Sequence, residues 1–90
     1  MANLDELLLE EVGIRSRLNA LVHERVEALR EADRLHVRAT RPGGDPELER
    51  QADRWRTVAG RVAGEIESKR RELREAETRV ATARADAAGA

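Results

Sequence analysis

Two imidazoles, His23 and His36, and a run of cations, Lys69, Arg70, Arg71 and Arg74, are the first residues of this 90-residue chain to suggest chemistry. Histidine serves as a general base or a metal ligand at neutral pH. Here the two lie thirteen positions apart on one predicted helix, ~20 Å along its axis, so they cannot share an ion or a proton. His23 has Glu24 beside it and Glu27 one turn on, but such a pair builds a two-metal centre only where a second pair faces it. Glutamate is too common in the chain for that spacing to be distinctive. The cationic run suits phosphate or an acidic partner, yet Glu65, Glu67, Glu72, Glu75 and Glu77 interleave with it at helical-neighbour distances. It reads as a solvated face. There is no cysteine, hence no thiol nucleophile, disulfide or thiolate zinc site. No catalytic residue, metal ligand or cofactor site is expected, and the chain is read as non-enzymatic.

Composition narrows the classes further. Seventeen basic residues oppose eighteen acidic ones, for a net charge of −1, without the basic excess that a dedicated nucleic-acid binder needs. Charged residues make up 39% of the chain, hydrophobics 40%, and Trp55 is the one aromatic. That is the composition of long helices packed side by side, not of a thick core. The length suits a single small domain over residues 1–90. No apolar stretch approaches the ~18 residues of a membrane span, and Leu7-Leu8-Leu9 is too short for a leader core. The expected location is the cytoplasm, with export routes that recognise folded helical pairs left open. The excess of arginine over the single lysine, Lys69, points to a GC-rich bacterial genome.

Whatever these residues do, two helices position them. The strong punctuation is Arg41-Pro42-Gly43-Gly44-Asp45-Pro46. Pro42 disfavours helix at Arg41, the glycines permit a reversal, and Asp45-Pro46 has the form of an N-cap followed by a first helical residue. Asn3 with Glu6 resembles a capping box. The spacing predicts a helix over about 4–40, a loop over 41–45 and a helix over about 46–88.

Apolar residues recur at alternating three- and four-residue steps. In the second half they are Leu48, Ala52, Trp55, Ala59, Val62, Ile66, Leu73, Ala76, Val80, Ala83 and Ala87, interrupted only by Lys69. In the first half they are Leu4, Leu7, Ile14, Leu18, Leu21, Ala28, Ala32, Leu35 and Ala39, interrupted by Glu11 and Arg25. A 3.5-residue repeat sustained this long is a coiled-coil seam. With a short loop, the fold class is all-α: an antiparallel two-helix coiled-coil hairpin. Setting Ala39 against Leu48 places Leu21 by Ile66, Ile14 by Leu73, and the indole of Trp55 opposite Ala32, a large residue filling the space over a small one.

The first helix carries more aliphatics than one seam uses: Leu8, Val22 and Leu29 on one flank, and Leu9, Val12 and Val26 on the other. Each large side chain left exposed forgoes about 1.5–3 kcal/mol of burial. The hairpin is therefore expected to dimerise into a four-helix bundle or to dock on another helical protein. Leu8, Val22, Val26 and Leu29 are the candidate partner-binding residues. Gly60 and Gly64 form a second candidate contact, because glycine inside a helix costs about 1 kcal/mol against alanine and a bare patch admits another helix closely. A hinge at these glycines is the alternative. Glu11, Arg25 and Lys69 read either as a polar layer that sets register or as long side chains reaching from the seam edge to water.

Two family resemblances bear on function. Ala20-Leu21-Val22-His23-Glu24-Arg25, followed by Arg41-Pro42, Asp45 and Glu49, is similar to the all-helical chorismate mutases. Leu8, His36 and Leu48, however, stand where that family places its cations, which leaves Arg25, Asp45 and Glu49 alone to hold a dicarboxylate. Leu48 with Trp55 seven residues later resembles the small helical hairpins of type VII secretion, which would imply an exported hairpin. Thr40-Arg41-Pro42 replaces that family's Trp-x-Gly loop, and its tyrosine-containing C-terminal signal is missing. The leading expectation is a non-enzymatic hairpin that acts by self-association and helix docking, with no nucleic acid and no membrane as partner.

Overall fold

The computed structural model describes residues 3–89, which form two helices, α1 (Leu4–Ala39) and α2 (Pro46–Gly89). The start of α1 is set by Asn3, whose Oδ1 accepts the Glu6 N–H at 2.8 Å, with Asp5 and Glu6 in the positive first turn. It ends at Thr40, where the Thr40 N–H returns to the His36 carbonyl, just ahead of Pro42. At the start of α2, Asp45 Oδ1 accepts the Glu47 N–H at 2.9 Å, and Pro46 has no N–H to leave unpaired.

The reversal between them depends on two glycines. Gly44 N–H donates to the Arg41 carbonyl at 2.9 Å, with Pro42 and Gly43 at the centre of the turn and Gly43 at φ +79°. That is the type II pattern, which favours glycine at its third position. A Cβ on Gly44 would lie 2.3 Å from the Ala39 carbonyl oxygen, so the chain can fold back this closely only over a hydrogen atom.

The helices run antiparallel in a rod of 72 × 15 × 14 Å. Leu21, Val62 and Ile66 form the central cluster, with Leu18 and Val58 packed against it, and Leu21 is the most deeply buried large side chain at 1% exposure. Towards the loop the seam is built of Ala28, Ala32, Leu35, Ala52 and Ala59, and towards the open end of Ala76 and Val80. Leu4, Leu7, Ile14 and Leu73 are half-buried there. Across the seam Glu10 meets Arg79 at 2.6 Å and His36 meets Glu49 at 2.7 Å, which agrees with the level at which Leu21 meets Ile66.

Trp55 departs from expectation. Its indole does not fill the seam over Ala32; it is 41% exposed and lies at the seam's edge. The cause is the alanine run: buried Ala28, Ala32, Ala52 and Ala59 keep the interhelical gap narrow, since helix separation follows side-chain size at the contact. The bulky ring is displaced sideways.

Candidate docking surface

Two flanks line the seam, and each helix contributes a strip to both. On one flank, Val22 and Val26 of α1 face Ala63 and Ile66 of α2 across a shallow groove of about 280 Å³, rimmed by Arg25, Glu67 and Arg70. Val22, Val26 and Leu29 stand 40%, 36% and 40% exposed. Leu29 follows Val22 by one heptad, so the three make a continuous row. Gly60 precedes the groove residue Glu67 by seven positions, which puts it on this same flank, level with Val26 and one turn from Ala63. Gly64 lies two positions from both Val62 and Ile66, about 200° round the helix from each, so it faces away from the seam. A Cβ on either glycine would meet nothing within 4 Å. The hairpin's own packing thus does not require a glycine at either place.

Val26, expected on the other flank from Val22, lines the same groove: it follows the seam residue Arg25 as Val22 follows Leu21, and so falls on the same side. The fold sets this row beside Gly60 and Ala63 of α2. Leu8, the fourth residue expected at the docking surface, lies on the same stripe but is half-buried. Leu9 and Val12 are exposed nearer the open end.

Polar groups border the aliphatic row at both ends. Towards the loop, His36 Nδ1 donates to Glu49 Oε2 at 2.7 Å, and Arg56 donates to Glu49 Oε1 at 3.0 Å and to Asp53. The hydrogen bond from His36, and after it that from Arg56, holds the Glu49 carboxyl below the ordinary glutamate range. Glu49 and Asp53 in turn raise the Arg56 guanidinium. The His36–Glu49 link was not anticipated; the seam register carries the signal, since it sets the two level beside the loop. Towards the open end, Arg15 pairs with Glu11 at 2.8 Å and approaches Glu77 across the seam at 3.9 Å.

The opposite flank is a groove of about 420 Å³ with Trp55, Val58 and Ala28 at its base and Glu24, Glu27 and Glu31 along its α1 wall. Arginines answer these carboxylates: Arg17 lies 3.7 Å from Glu24, Arg30 3.0 Å from Glu27, and Arg34 pairs with Glu31. His23 opens on this groove, far from His36. Among the described residues no group of three or more His, Cys, Asp or Glu side chains is arranged to hold a metal ion, and no helix is long and apolar enough to cross a membrane.

The polar seam residues do not meet one another within the chain. Glu11 is tied to Arg15, Lys69 reaches outward to Glu72 at 2.9 Å, and Arg25 is exposed at the groove rim. Arg70 of the cationic run is paired with Glu67 at 2.7 Å.

No protein-family model, curated protein or solved structure matches the chain.

Proposed function

We propose that the chain is a non-enzymatic interaction module that works by docking helix on helix, joining two hairpins into a four-helix bundle. The observation that carries this reading is the row Val22, Val26 and Leu29, left open on α1 beside the small residues Gly60 and Ala63 of α2. Contiguous apolar exposure bordered by charges is the anatomy of an interface, with an apolar centre and a polar rim. Gly60 supports the same reading, because its propensity cost has no return within the hairpin.

The test is Val22→Glu combined with Leu29→Glu. Both positions face solvent in the hairpin, so the double variant keeps its helical circular dichroism while its mass by light scattering falls from two chains to one. A wild-type protein that runs as one chain at every concentration would refute self-association.

A further inference from the structure

Building on the docking just proposed, we infer how the second copy lies: face to face on the aliphatic flank, with both loops at the same end, so that α1 of each chain covers α2 of the other. The first support is area. A compact monomer of 10.1 kDa is expected to expose about 5,300 Å². The hairpin exposes 6433 Å². The surplus, roughly 1,100 Å², exceeds the ~800 Å² that each partner contributes to a standard interface.

The second support is shape. Two hairpins stacked on this flank can be related by a two-fold axis along the rods or by one across them. The axis across the rods sets α1 on α1 and α2 on α2, with the loops at opposite ends. Val22, Val26 and Leu29 then meet their own copies, while Gly60 and Ala63 meet the same small residues and leave a void. The axis along the rods keeps every residue at its own level and sets α1 over the partner's α2. Val26 then projects over Gly60, where no Cβ stands in the way, and Val22 over the small side chain of Ala63. Interiors are packed without voids, so bulk over gap is the favoured solution.

Polarity agrees with this arrangement. One heptad from Val22 and Val26 lie Arg15 and Asn19; one heptad from Gly60 and Ala63, in the same direction along the rod, lie Glu67 and Arg70. Apolar therefore meets small and polar meets polar along one contact, and all four helices have antiparallel neighbours.

Because the chain has no cysteine, Arg41→Cys carries a single nitroxide label on the exposed loop, and dipolar spin-echo spectroscopy reads the label-to-label distance in the assembled protein. The expected result is one population at well under half of the 72 Å rod length. A distance near the full rod length in a protein of two-chain mass overturns this arrangement and leaves self-association standing. A one-chain mass with no dipolar signal overturns both. Gly60→Leu gives an independent reading: it fills the gap and weakens dimerisation by about tenfold or more. Gly13→Leu, which also projects into open space but lies off this flank, leaves dimerisation unchanged. Equal effects from the two substitutions would refute the inference.

Discussion

The two flanks of this hairpin share one seam and nearly equal lengths of the same helices, yet they are finished differently. The tryptophan flank has its polar groups answered within the chain. Its large apolar group lies against Val58 and Ala28, and its glutamates are each answered by an arginine of α1. The aliphatic flank is unfinished: three branched side chains stand open beside Gly60, a helical position that carries no side chain at all. Exposed hydrophobicity alone does not distinguish them, because Trp55 is as exposed as Val22 and Leu29. What differs is whether the neighbouring helix supplies a matching surface. On the tryptophan flank the match is within the chain; on the aliphatic flank the match we propose is a second copy.

The sharpest way to break the contrast is to charge each flank in turn. Val22→Glu with Leu29→Glu is expected to halve the mass. Trp55→Glu with Val58→Glu is expected to leave the mass of every folded molecule at two chains, although Val58 touches the core cluster and the variant melts earlier. Loss of the dimer in both, measured by light scattering on the folded fraction, would show that the flanks are not distinct.

Trp55→Ala comes next in size. Removing a core tryptophan costs about 3–5 kcal/mol. A ring already 41% exposed should cost less than that range, with the urea midpoint lowered and the mass unchanged. Because the indole lies away from the proposed contact, its emission maximum should also stay constant on dilution through the dimer–monomer transition.

Substitution of the glycines by alanine should split by flank. Gly13→Ala, Gly60→Ala and Gly64→Ala each raise the thermal stability of the isolated hairpin by about 1 kcal/mol through helix propensity. At Gly60 the gain is accompanied by weaker association, and at Gly13 and Gly64, which lie off the aliphatic flank, it is not. Sedimentation equilibrium beside thermal melts separates the two.

The smallest effect concerns acid. Glu49 ionises below the ordinary glutamate range in the folded chain, so the stability it adds is complete above that range and is lost as the pH falls through its depressed value. The group is exposed, so the loss is modest. A slight fall of the melting midpoint on the acid side is expected, and His36→Ala should reduce it because the His36 hydrogen bond is the larger cause of the shift.

Most of the fold was legible because its signals are local or periodic. Asn3 and Asp45 carry capping side chains, Pro42 stops a helix, and the 3.5-residue repeat identifies Leu21, Val62 and Ile66 as inward-facing. The site was legible only in pieces. Val22, Val26 and Leu29 are conspicuous as surplus aliphatics, and Gly60 as a costly glycine, but they lie more than thirty positions apart and no local rule joins them. Trp55 was placed wrongly for a related reason. A repeat assigns a residue to the seam, whereas the width of the seam at that level depends on the facing alanines.

The sequence by itself determined two helices, the turn between them and the stripe each helix turns inward, since capping, glycine conformation and apolar periodicity act within a few residues. The tertiary structure alone decided which residues of the two helices stand level with one another and how wide the seam is there. Both depend on packing across the seam, and they set the aliphatic row of α1 beside Gly60 and Ala63 while the facing alanines displaced the tryptophan to the other side.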